Sequence, residues 1–321
     1  MGVKLASIVN FKTLSLDQLE HTRVAVDASN MLFQFLNKIR RQNLPLFNYE
    51  GRVVSHIYGV FYRTTNFLEH NIKPIIVFDG AHPRLKERRE HLVESLVKEY
   101  SYLRKARENK NYNVARTLSL SNEILYDTII NETQKLLTTM GVPWVKSPGE
   151  GEAEAAYMTR IGKADHVLTQ DYDALLFGAR SILRNLDLTE NNVQCATLEE
   201  VLKLQNISYE QLVDLAILVG TDFNLGVKKV GAKKALKLIR KHGDIRGVFS
   251  GAGLEPFDVE GVREIFLNPD VVEPQIIFNA PNTGSLRRLL EEFSMKPERI
   301  DKGIRRLVKA YKESQLVQTT L

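Results

Sequence analysis

Two aspartates, Asp171 and Asp173, stand one residue apart in LTQDYDALLFGA (168–179), where the run from His166 to Thr169 gives out. Like charges at the end of a buried strand repel each other and lose solvation. The same signature recurs: Asp27 closes RVAVDA (23–28) and Asp79 closes KPIIVFDG (73–80). SPGEGEAEAAYM (147–158) adds Glu150, Glu152 and Glu154 at the mouth of a helix, and VGTDFN (219–224) adds Asp222 after an apolar one. Taken singly, such acids are helix-dipole partners or turn caps. As a set at one predicted sheet edge, Asp27, Asp79, Asp171 and Asp173 need cations or protons to offset them. Oxygen ligands without cysteine or paired histidines favour Mg²⁺, with Mn²⁺ as substitute, over Zn²⁺. Two such ions about 4 Å apart activate a water and stabilise the leaving oxygen of an in-line phosphoryl displacement. Asp171 and Asp173 therefore read as ligands of a paired-metal site. HExxH, P-loop and GxSxG motifs are all absent, which removes the zinc-protease, nucleotide-hydrolase and serine-hydrolase readings.

The elements that must position these acids alternate. RVAVDA, KPIIVFDG, VPWV and HVLTQ read as strands; NMLFQFLNKIRR, HIYGVFYRTTNFLEH and EGEAEAAYMTRIG read as helices between them. Strands joined through helices imply crossovers and a mostly parallel sheet with helices on both faces, an α/β fold. Ligands of such sheets lie beyond the carboxyl ends of the strands, where Asp27, Asp79 and Asp171 fall. If the segment stays extended, Asp171 and Asp173 point to one side. Beyond about residue 190 the pattern turns helical, with YEQLVDLAILVG (209–220), GAKKALKLIRKHG (231–243) and a basic helix around DKGIRRLVKAYKE (301–313). No internal repeat or low-complexity linker divides the chain, which reads as one domain.

At 321 residues and 43% hydrophobic, the chain can bury a sizeable core. The single cysteine, Cys195, excludes an internal disulfide framework, points to a reducing compartment and reads as structural. No apolar stretch reaches membrane-span length, and MGVKLASIVNFK has neither the apolar segment nor the cleavage site of a secretory signal. Ala6 stands where a myristoylation signal wants Ser or Thr. The expected setting is intracellular: cytoplasm or nucleoid if the chain is archaeal. The net charge of +5 is mild; its distribution says more than its size.

The blocks VAVDASNMLFQFL, SHIYGVFYRT, IKPIIVFDG, MGVPWVKSPGEGEAEAAYM, TQDYDALLFGA, LAILVGTDFN and VGAKKALKLI, after the MGV start, closely resemble the structure-specific 5′ nucleases, in particular the flap endonucleases of archaea, in order and spacing over nearly the whole chain. The resemblance implies a nuclease fold in four regions: 1–83, a helical arch over 84–120, 121–250 with a helix-turn-helix, and 251–321. It implies Asp27, Asp79, Glu150, Glu152, Asp171, Asp173 and Asp222 as metal ligands, and leaves Glu154 out as a helix residue. The activity it implies is cleavage of a phosphodiester near the junction of a 5′ flap with duplex DNA, with some 5′ exonuclease activity, in replication and repair.

The arch matches RLKERREHLVESLVKEYSYLRKARENKNYNVAR (84–116), rich in Lys and Arg with Tyr100, Tyr102 and Tyr112 between them. Basic groups there would hold phosphates and aromatics would stack on unpaired bases. Lys86 matches the family's contact to the scissile phosphate; for the second contact a gapless alignment gives Val93, while a short deletion brings Arg88 or Arg89 into place, with Arg89 preferred. Gly2, Phe33, Arg40 and Arg63 match positions close to DNA, Phe33 replacing a tyrosine that stacks on a template base; core packing is its other use.

GVKKVGAKKALKLI (226–239) resembles the family's duplex-gripping helix-turn-helix. Lys228, Lys229, Gly231, Lys233 and Lys234 would face phosphates there. Lys229 replaces the first glycine of the Gly-x-Gly hairpin, which puts in question the K⁺ the family often holds at this element. At the end, Gln318 and Leu321 in SQLVQTTL match the first half of the segment that docks on the replication sliding clamp. The aromatic half is missing, so the natural chain is expected to continue and clamp binding of this one to be poor. A monomer is the default. Other readings are a superfamily nuclease cutting bubbles or four-way junctions, a non-catalytic DNA-binding module that kept the fold, and a related ribonuclease. Seven retained carboxylates speak against the non-catalytic module, because a binder gains nothing from repelling phosphate at its centre.

Overall fold

The computed structural model of the chain describes residues 2–41, 44–80, 122–252 and 259–318. The arch segment lies outside them, and with it Lys86, Arg88 and Arg89; so does Leu321. The strands are β1 (Lys12–Ser15), β2 (Arg23–Asp27), β3 (Arg40–Arg41), β4 (Leu44–Pro45), β5 (Lys73–Phe78), β6 (Trp144–Lys146), β7 (His166–Leu168), β8 (Ser181–Asp187) and β9 (Asn192–Thr197). The fold is α/β with a mostly parallel sheet. Chain contacts divide it into two compact units that interleave along the sequence: residues 1–18, 22–27 and 147–274 in the first, and 19–21, 28–146 and 275–321 in the second.

In the first unit the strand order is β1-β9-β8-β7-β2, with β2, β7 and β8 parallel. Val24, Ala25 and Val26 are at most 1% exposed, which explains the unbroken apolar run: a parallel strand is covered on both faces. Its register pairs Val26 with Leu168. The residues that follow, Asp27 and Thr169, are thereby set side by side where both strands end.

β8, β9 and β1 form an antiparallel extension, Ser181 opposite Thr197 and Lys12 opposite Cys195. The sequence pattern alone reads the chain as helical beyond about 190, and this hairpin is the exception. β8 changes from buried to alternating exposure after Leu183, so its outer half lacks a continuous apolar signal. Cys195 is buried, as a structural cysteine should be. The helices Gly151–Arg160, Tyr209–Val219 and Ala232–His242 complete this unit. Ser208 caps the second with a full capping box against Gln211.

In the second unit β5 and β6 pair in parallel, Phe78 opposite Lys146. Around them pack helices Ala28–Lys38, Ser55–Glu69, Asn122–Met140, Thr283–Glu292 and Pro297–Gln318. Gly303 of the last helix lets it approach the ring of Phe61: a Cβ there would stand 2.4 Å from the ring edge. Arg52 binds Glu132 and Glu292, each at 2.9 Å, and stacks on Phe293. Glu132 also meets the fully buried His56 at 2.9 Å. One carboxylate thus ties a loop and a neighbouring helix to its own.

Candidate metal centre

Thr169 is the hub of the acidic cluster in the first unit. Its hydroxyl lies 2.7 Å from Glu152 Oε1 and 3.3 Å from Asp27 Oδ2, and its oxygen accepts the backbone N–H of Asp171 at 3.1 Å. A hydroxyl has one proton, so it can donate to only one of two carboxylates that both crowd it. Asp27, Glu152 and Asp173 are 6%, 2% and 1% exposed. Burial without hydrogen-bond donors or cations would make such charges prohibitive.

The N-terminal segment supplies further donors. The backbone N–H of Gly2 donates to Asp171 Oδ1 at 3.1 Å and that of Val3 to Asp173 Oδ1 at 2.9 Å. A Cβ on Gly2 would stand 2.9 Å from Asp171 Cβ and 3.0 Å from Asp173 Oδ1. Only glycine lets the chain pass this close to both acids. Their shared orientation does not come from an extended strand: β7 ends at Leu168, and Asp173 already opens the short helix Asp173–Leu176. The bend brings them beside Gly2 and Val3 instead.

Glu150 precedes the helix Gly151–Arg160 as its N-cap residue, half-buried. Asp222 is exposed in a turn after helix Tyr209–Val219, closed by the mutual backbone bonds of Thr221 and Asn224. Glu154 sits fully buried, and its Oε2 accepts the Val272 N–H at 3.0 Å. Burial pushes its carboxyl up to about 7, partly offset by that bond. Its place is that of an anchor for the Val272 segment.

In the second unit Asp79 follows β5 and accepts the Ser29 hydroxyl at 2.6 Å; that hydroxyl lies 3.3 Å from the Tyr126 hydroxyl. Phe33 is 44% exposed, while Met31, Leu32, Phe35 and Leu36 of its helix are buried; the ring is not in the core. The Arg40 guanidinium is turned onto its own helix end, bonded to Leu36 O and Asn37 Oδ1. Arg63 is half-buried over the Phe35 ring at 5.5 Å, and burial lowers its pKa.

Lys228, Lys229, Lys233 and Lys234 are all exposed. Lys229 adopts φ +62°, the left-handed geometry that glycine adopts most readily. Gly231 caps helix Ala232–His242 with open space at its missing Cβ. Gln318 ends helix Pro297–Gln318.

The donor set is all oxygen and suits a hard divalent cation in kind. Among the described residues, no three His, Cys, Asp or Glu side chains are gathered around one point. A hollow of about 550 Å³ between Glu199 and Gln211 holds none of these acids. Sequence reading missed Thr169 and Ser29: a hydroxyl two residues from a candidate acid, Asp171 or Asp27, was the available signal. The Val3 amide leaves no signal at all.

The fold and the family models that match it define an α/β nuclease of the XPG type. The XPG N-terminal domain matches residues 1–96 and the XPG I-region residues 141–222. Flap endonuclease 1 of Picrophilus torridus is 40% identical over 98% of this chain and 97% of its own; that of Pyrococcus furiosus is 38% identical over 100% and 98%. The solved flap endonuclease-1 from Methanococcus jannaschii superposes with a TM-score of 0.79 at 33% identity, covering 97% of this chain and 99% of its own. The catalytic core of Rad2 in complex with DNA substrate gives 0.74 at 25%, covering 95% and 100%. The chain belongs to the flap endonuclease 1 family and is a structure-specific nuclease of that kind.

Proposed function

We propose that the chain cuts branched DNA at the base of a 5′ flap, trims 5′ ends exonucleolytically, and does so with two Mg²⁺ held by Asp27, Asp79, Glu150, Glu152, Asp171, Asp173 and Asp222. The observation that carries this reading is the Thr169 hub, which gathers Asp27 and Glu152 beside Asp171 in a chain whose relatives are flap endonucleases. Divalent ions bound there supply an activated water and stabilise the leaving oxygen. The protein's own part is positional. Thr169, Gly2 and Val3 fix which carboxylate oxygens remain available, and burial keeps bulk water from competing. Lys86, with Arg89 or Arg88, neutralises charge on the scissile phosphate.

Lys228, Lys229, Lys233 and Lys234, with the open amides at Gly231, take the phosphates of the duplex arm. A K⁺ at that turn is compatible with the glycine-like φ of Lys229. Phe33, exposed on helix Ala28–Lys38, stacks on a base; Arg63 lies close to the DNA, and Arg40 meets the backbone only after leaving its helix end. The protein works as a monomer inside the cell. Gln318 and Leu321 belong to the segment that would meet the sliding clamp.

Mapping product ends from a double-flap DNA and from a four-way junction, each with Mg²⁺ and with chelator, tests this. A single metal-dependent cut at the flap base, with the junction largely intact, supports the reading. Preferred junction cutting moves the substrate to another branch of the family, and cleavage in chelator removes the metal role.

A further inference from the structure

We propose that a polar pocket beside Asp79 seats one unpaired nucleobase of the strand being cut. The inference rests on the flap-nuclease reading and adds a subsite to it. The pocket holds about 250 Å³ and lies wholly within the second unit, between the end of β5, the end of β6 and the helix Asn122–Met140. Its polar wall is Asp79, Tyr126, Asp127, Asn131, Gln134 and Lys146.

Sequence and topology explain the convergence. Asp127, Asn131 and Gln134 recur at four and three residues and so share one helix face. The β5–β6 register places Lys146 directly opposite Phe78, next to Asp79. The side chains of Asp127, Asn131, Gln134 and Lys146 make no hydrogen bond or ion pair with any described residue. Asp127, Asn131 and Lys146 are exposed and Gln134 half-buried, so all four reach solvent at one hollow, and a ligand there displaces water rather than a protein partner.

The chemistry selects that ligand. Two carboxylates against one ammonium disfavour a phosphate or other anion. The two amides each offer a donor and an acceptor in one plane, the pattern that pairs with base edges. Phe78 and Ile130 add apolar surface to the lining. A neutral heterocycle with its own donors and acceptors matches all three features, and the volume suits one base rather than a run. Because Asp79 is a candidate metal ligand, a base seated here belongs to a nucleotide at the cleavage point, not to a free nucleoside.

The test walks a single abasic residue across the positions flanking the scissile phosphate of a double-flap DNA. Single-turnover rates are measured for the wild type, Asn131→Ala/Gln134→Ala, and the isosteric Asn131→Asp/Gln134→Glu, with thermal unfolding as the folding control. The expected result is one position where base removal slows the wild type about tenfold. Both variants are equally slow on intact DNA and indifferent to the abasic residue at that position. A flat abasic profile in the wild type, or one that survives in the variants, overturns the subsite while leaving the flap reading intact. Competition by free nucleoside without positional dependence assigns the pocket to a small molecule and also overturns it. No cleavage of the intact flap with Mg²⁺ overturns the parent reading and the subsite together.

Discussion

At the scale of single residues, the site is a set of negative charges whose positions are fixed by very small donors. Asp173→Asn keeps the acceptor for Val3 N–H but loses the charge. Cleavage is expected to fall by about a thousandfold or more, with flap-DNA affinity in Ca²⁺ unchanged or tighter; fluorescence binding beside single-turnover cleavage checks both. Gly2→Ala separates two uses of the N-terminus. Its methyl would press on Asp171 and Asp173, so the rate should drop about tenfold or more while DNA affinity stays. Loss of affinity with an intact rate would return Gly2 to the DNA contact that family resemblance suggests.

The acids were legible because each ends a recognisable apolar run or opens a helix. Their bracing was not. Backbone amides such as Val3 N–H are present at almost every residue, and nothing in the letters marks the one that turns toward Asp173. Thr169 was legible only in retrospect, from the register that sets it against Asp27.

At the scale of elements, the parallel strands announced themselves because burial on both faces leaves continuous runs such as RVAV and PIIVF. β8 and β9 did not, because an antiparallel pair with one wet face dilutes the apolar signal with residues such as Arg184 and Gln194. The turn before helix Ala232–His242 is a second case: Lys229, a non-glycine residue, adopts φ +62° there. An L-residue there costs about 1 kcal/mol, which the greater unfolded freedom of glycine partly offsets. Lys229→Gly is therefore expected to raise unfolding free energy by roughly 0.5 kcal/mol in urea melts. If Lys229 touches a phosphate, the same change lowers the slope of log affinity against log salt by about 1. An unchanged slope would take Lys229 out of the DNA contact.

At the scale of the whole molecule, stability and its pH dependence run through the Arg52–Glu132–His56 group. Burial alone would raise the Glu132 carboxyl, but hydrogen bonds and charge from His56 and Arg52 outweigh it and hold the pKa below the ordinary 4.5. A depressed carboxylate pKa means that the folded state binds fewer protons than the unfolded one over that interval. Its contribution is present in full above about pH 4.5 and is lost as pH falls through the lowered value. Glu132→Gln should flatten the melting-temperature profile on the acid side of pH 5. At pH 7 it should cost about 2 kcal/mol, because Arg52 loses its less exposed carboxylate. A parallel profile in the variant would assign acid lability to other groups.

The central claim is that the carboxylates around Thr169 hold divalent metal. Electron paramagnetic resonance of free Mn²⁺, titrated with the wild-type protein and with Asp171→Asn/Asp173→Asn, measures this without DNA or turnover. The expected result is loss of free-ion signal on wild-type addition, saturating near two ions per chain, displaced by Mg²⁺, and sharply reduced in the variant. Equal Mn²⁺ uptake by both proteins, or none by either, would contradict the assignment of these acids as the metal centre.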